Sequence, residues 1–150
     1  MRNTSMILLP MKTEEHWSWM MNESGCQWTP TARGIVVLDH RMLPCAGVVF
    51  DGWFPNSGQI HFAMKNPLAA RSGLFEEGFN YFYNECGKDL LIGVTPAHLD
   101  KALKFNKKVG LRETYRIKNG YTDGIDLVVQ EMHRDECRWI KNGQEYSSAA

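Results

Sequence analysis

The spacing of the apolar residues changes in the middle of the chain, from every second residue to every third or fourth. Apolar side chains alternate along residues 59–64, which predicts a strand with one buried face. Along residues 74–86 they recur every three or four positions, which predicts an amphipathic helix packed on a sheet, and residues 90–94 form a strand of the fully buried type. A strand that follows such a crossover helix returns parallel to the first. The sequence therefore predicts one parallel strand pair.

Further strands are predicted on both sides of this unit. Residues 6–9, 34–38 and 46–53 have strand character, and the short turn-forming links between the later segments favour an antiparallel meander. Residues 112–117 and 125–129 are expected to form a closing hairpin, joined by the turn-rich segment 118–124.

Three helices are predicted from N-cap side chains and from glycines that end them: Thr13 to Gly25, Ser72 to Gly87 and Thr95 to Gly110. In the third, Pro96 would occupy the first turn, where no amide donor is missed. Together the elements predict an α/β (α+β) fold with a mixed, mostly antiparallel central sheet flanked by helices. We expect a single domain over residues 1–140 and a flexible tail over residues 141–150.

Composition excludes several classes of protein. Seventeen basic residues balance seventeen acidic ones, which argues against a nucleic-acid partner. No apolar run reaches the roughly 20 residues that cross a bilayer, and no signal peptide is evident, so a cytoplasmic protein without a membrane partner is expected. The four cysteines and five histidines are scattered and predict no metal site.

A helix that begins at the carboxyl end of a strand leaves backbone N–H groups free to bind phosphate. In this sequence that position falls at residues 66–73, a loop of small residues with one cation, Arg71, and one hydroxyl, Ser72. The sequence therefore predicts an anion-binding loop between the strand at 59–64 and the helix after it.

Four segments in this order resemble the GNAT superfamily of acyl-CoA-dependent N-acyltransferases: 61–86, 90–97, 101–105 and 108–113. The strongest likeness is the capped helix end over 102–113, and the whole resemblance covers roughly residues 33–139. Residues 123–139 are similar to a divergent branch found among bacterial and phage-encoded members. The resemblance implies a GNAT-like sheet in which the fourth strand splays from the parallel fifth.

In the family, the pantetheine arm of acetyl-CoA enters the opening between those strands. The resemblance implies that backbone groups of Phe62, Ala63 and Met64 bond the amides of that arm. It also implies that the following loop holds the pyrophosphate through Ala70, Arg71, Ser72, Gly73 and Leu74. Gly73 matches the last glycine of the family's loop pattern, whereas Ala70 and Arg71 depart from it. Arg71 would offset this by meeting phosphate directly.

The helix after the fifth strand departs from the family at two positions. The Asn that often bonds the cofactor arm is replaced by Leu99, and the Tyr that often protonates the leaving thiolate is replaced by Asn106. A carboxamide is no general acid near neutral pH. We expect Leu99, Ala102, Phe105 and Asn106 to line the cofactor, with binding better supported than turnover.

Amine acylation requires a base for the amine proton, and His61 is the candidate because it lies beside the proposed opening. The alternative is that His61 is an ordinary, partly buried strand residue. Four tryptophans are candidates for an acceptor pocket or for packing: Trp17, Trp19, Trp28 and Trp53.

Two functions stay open at this point. One is an N-acetyltransferase that moves acetyl from acetyl-CoA to an amine of a small molecule or protein. The other is a catalytically degenerate relative that acts as a binding or assembly module. Either function is compatible with a homodimer.

Overall fold

Seven strands form one sheet in the computed structural model, which describes residues 5–140. In chain order they are β1 Ile7–Pro10, β2 Arg33–Leu38, β3 Pro44–Asp51, β4 Ser57–Met64, β5 Leu90–Pro96, β6 Arg112–Thr122 and β7 Ile125–His133. Across the sheet their order is β1-β2-β3-β4-β5-β7-β6. The predicted antiparallel meander of β2, β3 and β4 is confirmed, and so is the parallel pairing of β4 with β5.

Three α-helices connect and cover the strands: α1 Glu14–Ser24, α2 Leu74–Phe79 and α3 Asp100–Val109. A 3-10 turn, Pro67–Arg71, precedes α2, and α2 continues as π-helical turns over Asn80–Glu85. A second 3-10 turn, Arg134–Glu136, follows β7. No helix within residues 5–140 is both long and apolar enough to span a bilayer.

The two faces of the sheet carry separate cores because side chains alternate along each strand. On one face Val49 and Ala63 pack with Trp17 and Met20 of α1. On the other face the core contains Phe50 together with residues of α2, α3 and the π-helical turns. Neighbouring residues of β4 therefore point into different environments, one beside α1 and one beside α2 and α3.

The predicted start of the third helix is wrong. Thr95 and Pro96 belong to β5, where they pair with Val128 and Leu127 of β7, and α3 begins only at Asp100. Strand pairing with β7 outweighs the local preference of Thr95 and Pro96 for a helix start. The local pattern does not show this, because the pairing partners lie about thirty residues further along the chain.

The predicted cap of the second helix is also wrong. Ser72 is buried, and its Oγ donates a hydrogen bond to the Ala69 carbonyl at 2.6 Å instead of accepting one from the helix. Gly73 takes the N-cap position with φ 96°, a left-handed conformation that glycine adopts without strain.

The closing hairpin is longer than predicted. β6 runs through segment 118–122, and only Asp123 and Gly124 separate it from β7. The tail predicted over residues 141–150 lies outside the described residues.

Candidate cofactor and catalytic site

The parallel strands β4 and β5 are paired only at their beginnings. The pairs are Ser57 with Leu90, Gly58 with Leu91 and Gln59 with Ile92, and β4 and β5 form no further pair with each other. The strands nevertheless continue to Met64 and Pro96, so their carboxyl halves lie side by side without a ladder. Pro96 has no N–H to contribute to such a ladder. The splayed pair predicted for the fold is therefore present.

Backbone alternation identifies which groups face this opening. The Lys65 N–H donates to the Cys45 carbonyl at 2.9 Å, one residue beyond the last β3–β4 pair. Hydrogen bonding alternates along antiparallel strands, so every second residue of β4, counted back from Lys65, bonds β3. The peptide groups of Phe62 and Met64 therefore point towards β5, whereas those of Ala63 point towards β3. Ala63 belongs to the set predicted to contact the pantetheine arm, and its own backbone groups are occupied in the sheet.

The facing side of the opening is the peptide of Val94. The N–H of Ala97 donates to the Asp126 carbonyl at 2.8 Å, one residue beyond the last β5–β7 pair. By the same alternation, the peptide groups of Thr95 bond β7, whereas those of Val94 point away from β7 and towards β4. The Val94 residue is 38% exposed although it lies in an inner strand of the sheet. Polar backbone groups on both strands are thus available to an extended, amide-containing ligand.

Three phenylalanines support the opening on the side of α2 and α3. The ring of Phe62 lies 5.2 Å from that of Phe105 and 6.2 Å from that of Phe75, measured between centroids. Trp139 packs on Phe75 with a centroid separation of 4.8 Å. Phe62 and Phe105 are half-buried, and they pack against the core of this face through the buried Phe75.

The predicted anion-binding loop leads directly from β4 into α2. Asn66 Oδ1 accepts a hydrogen bond from Leu68 N–H at 3.0 Å and starts the 3-10 turn. Gly73, at the start of α2, has no side-chain cap bond. The first amides of the helix are therefore left to another acceptor.

The side chains of this loop divide into exposed and buried groups. Ala70 and Arg71 are exposed, and Arg71 makes no ion pair within residues 5–140. Ser72 and Leu74 are buried in the protein, and both the N–H and the Oγ of Ser72 donate to the Ala69 carbonyl. Arg71 is thus an exposed loop cation without an ion-pair partner among the described residues.

The residues of the α3 region are not equally available. Leu99 is exposed at the residue before α3, and Ala102 is half-buried on the first turns. Asn106 is buried, and its Nδ2 donates to Gln130 Oε1 at 3.0 Å and to Thr95 Oγ1 at 3.4 Å. Its amide is engaged inside the protein, so Asn106 holds α3 against β5 and β7 rather than facing the opening.

His61 lies on the opposite face of β4 from Phe62. Its Nε2 lies 2.9 Å from Oδ1 of Asp51, and the two side chains are 26% and 17% exposed. The β4–β5 pairing ends at Gln59, so His61 is the next residue on its face beyond the point where the strands part. Asp51 was not predicted as a site residue, although a β3–β4 hairpin register would have brought it near His61.

The tryptophans are divided between two environments. Trp17 and Trp28 line a cavity of about 570 Å³ beside β1 and β2, whose walls include Glu77, Tyr81 and Glu85. Trp53 instead stacks on Phe82 with centroids 5.9 Å apart. None of the predicted cofactor or catalytic residues lines the cavity. Within residues 5–140 no cluster of three potential metal ligands is present.

No family sequence model and no curated protein matches this chain. Solved structures do match. The N152L mutant of spermidine N-acetyltransferase SpeG from Vibrio cholerae has a TM-score of 0.68 at 12% identity, covering 89% of this chain and 96% of that one. A GNAT-family acetyltransferase from Bacillus anthracis has a TM-score of 0.54 at 17% identity, covering 69% of this chain and 67% of that one.

A dodecameric structure of the Vibrio cholerae spermidine N-acetyltransferase matches with a TM-score of 0.67 at 11% identity over 89% of this chain and 96% of that one. The chain therefore has the fold of the GNAT acetyltransferases. These matches lend no support to the phage-type branch.

Proposed function

We propose that this protein is an N-acetyltransferase that moves an acetyl group from acetyl-CoA directly to an amine. One observation carries the proposal: β4 and β5 part beyond Gln59, and the opening leads to an uncapped helix start at Gly73. An extended ligand with amides at one end and a diphosphate at the other matches that arrangement.

Different groups of the protein bind different parts of acetyl-CoA, the acetyl donor. Peptide groups of Phe62 and Met64 on β4, with that of Val94 on β5, bond the amides of the pantetheine arm. The amides from Gly73 into α2 bond the diphosphate, and Arg71 supplies a positive charge beside them. Phe105 supports the arm through its contact with Phe62.

His61 is the base in this proposal. Acetyl-CoA supplies the acetyl group as a thioester, which an amine attacks without a covalent enzyme intermediate. The amine nitrogen bonds the acetyl carbon as the carbon–sulfur bond breaks, and His61 takes the proton that the amine releases. Water protonates the departing thiolate, because the Asn106 amide is committed to Gln130 and is no acid.

The acceptor class is an amine reached from the α1 face, where His61 and Asp51 lie. The Vibrio cholerae enzymes of the same fold are spermidine acetyltransferases, which makes spermidine a first acceptor to test. Free thiols at all four cysteines fit a reducing compartment such as the cytoplasm.

Two measurements test the function. We expect acetyl-CoA to raise the melting temperature in a concentration-dependent way, since a ligand that binds only the native state stabilises it. No shift at millimolar acetyl-CoA would count decisively against the proposal. We then expect free thiol to be released when spermidine or another primary amine is added to protein and acetyl-CoA.

The second function, a binding module, predicts a different pair of results. Acetyl-CoA would stabilise such a protein, but no amine in the panel would release thiol. The replacements at Leu99 and Asn106 favour this outcome, whereas the opening between β4 and β5 and the place of His61 beside it favour turnover.

A further inference from the structure

Asp51 and His61 occupy neighbouring strands on one face of the sheet. In the β3–β4 register Asp51 lies opposite Gln59 and His61 opposite Val49, so the two side chains are diagonal neighbours. The carboxylate Oδ1 and the imidazole Nε2 are 2.9 Å apart. The pair is thus held by the register of two inner strands, without a flexible loop.

The environment of the pair is partly buried. The Asp51 side chain is 17% exposed, and His61 is its hydrogen-bond partner. The Cys26 thiol lies close by after α1: burial raises the pKa of that thiol and the Asp51 carboxylate raises it further, while a hydrogen bond from Ser24 opposes the rise. A carboxylate removed from much of the solvent requires a donor, and His61 provides it.

An ionised carboxylate only accepts hydrogen bonds, so Nε2 of His61 must carry the proton in this contact. The other ring nitrogen, Nδ1, has no hydrogen-bond partner within the part of the chain that the structure describes, and it is not among the buried unpaired atoms there. In the neutral ring, Nδ1 is therefore the nitrogen that carries the lone pair.

We propose that Asp51 is a positioning residue: it holds His61 as the Nε2–H tautomer and directs the lone pair of Nδ1 towards the incoming amine. The inference rests on the proposed acetyl transfer. The amine gives its proton to Nδ1 as its nitrogen bonds the acetyl carbon. The resulting imidazolium is stabilised by the Asp51 carboxylate, which keeps its own charge throughout.

The tautomer can be observed without any enzyme assay. Two-bond proton–nitrogen NMR correlations distinguish a protonated ring nitrogen from an unprotonated one, and His61→Gln identifies the signals of His61 by their loss. With the ring in its neutral form, we expect a single His61 tautomer with Nε2 protonated. Asp51→Asn and Asp51→Ala should both give a measurable population protonated at Nδ1.

Turnover gives the second measurement. Asp51→Asn keeps the size of the side chain but presents an amide that can donate to Nε2, so we expect kcat to fall about 10- to 100-fold. The KM and Kd for acetyl-CoA should change less than about twofold, because Asp51 lies on β3 rather than on a strand that borders the opening, and its side chain is on the face opposite Phe62 and Phe105. Asp51→Glu should recover part of the loss, since it restores a carboxylate.

Asp123→Asn is the matched control. It removes one carboxylate from the exposed β6–β7 turn and should leave both the His61 spectrum and kcat at wild-type values. All variants are compared at equal folded fraction, judged by circular dichroism.

The results separate the two proposals. If the protein neither binds acetyl-CoA nor releases thiol, the proposed function fails, whatever the spectra show. If wild-type turnover is present but His61 is protonated at Nδ1, or both Asp51 variants keep the wild-type spectrum, the positioning role is overturned. Full kcat in Asp51→Asn also overturns it.

Discussion

The rings of Phe62 and Phe105 meet edge to face with their centroids 5.2 Å apart. This contact joins β4 to α3 alongside the opening where β4 and β5 have no shared hydrogen bonds. Side-chain packing thus replaces the missing ladder and keeps the two halves of the sheet together.

Phe105→Ala is therefore expected to lower the free energy of unfolding by about 2 kcal/mol, because it removes a half-buried aromatic side chain. Urea denaturation measures the change in the free energy of unfolding. Tyr115→Ala, in exposed β6, serves as the control and should change stability by less than about 0.5 kcal/mol. Equal losses in both variants would contradict the bridging role of Phe105.

Gly73→Ala tests the uncapped helix start. Gly73 has φ 96°, and an L side chain in this left-handed conformation adds strain of about 1 kcal/mol. Gly124, with φ 81° in the exposed β6–β7 turn, provides a matched substitution with similar strain. We expect both variants to lose similar stability by denaturation but only Gly73→Ala to lose affinity for acetyl-CoA by calorimetry. Equal affinities would exclude the Gly73 amides from the site.

Arg71→Ala tests the phosphate contact. We expect CoA affinity to fall about fivefold, because an exposed charge-assisted contact contributes about 1 kcal/mol. Binding of pantetheine, which has no phosphates, should be unchanged in the same calorimetric assay. Arg41→Ala removes an exposed cation from the β2–β3 turn and is the control. Loss of affinity for both ligands would remove the assignment.

Gln130→Leu tests the role of Asn106 as a packing residue. The substitution leaves the buried amide of Asn106 without its 3.0 Å partner, and we expect a loss of about 2 kcal/mol in urea denaturation. Replacing both Asn106 and Gln130 by Leu removes donor and acceptor together and should recover part of that loss. A double variant less stable than the sum of the two single changes would contradict this pairing.

The buried thiols predict how stability responds to alkaline pH. Burial raises the pKa of Cys26, Cys45 and Cys137, so the native state keeps protons that the unfolded chain releases above about pH 8.5. This contribution is fully present below that pH and is lost as the pH rises towards the native pKa values. We expect unfolding free energy to fall between pH 8 and 9.5, measured in urea, and the slope to flatten when all three become Ala. An unchanged slope in that variant would assign the decline to other groups.

Local patterns were sufficient for most of the fold. The alternation along residues 59–64 and the helical spacing after residue 74 predicted the parallel strand pair correctly. Thr95 and Ser72 were misassigned as caps because a hydroxyl before a helical pattern has the same local appearance in three situations. It can cap the helix, lie in a strand that pairs with a distant one, as Thr95 does, or bond a carbonyl of the preceding turn, as Ser72 does. The loop that ends at Gly73 was found from its place after β4, but the side-chain directions within it were not.

The sequence by itself determined which segments are strands and helices and that β4 and β5 run parallel, because apolar spacing and chain connectivity are local properties. Tertiary structure alone decided that the β4–β5 ladder stops at Gln59, that Asn106 is committed to Gln130, and that Asp51 meets His61. Each of these depends on the register and packing of segments distant in the chain or paired across a turn, and no short-range pattern encodes a register.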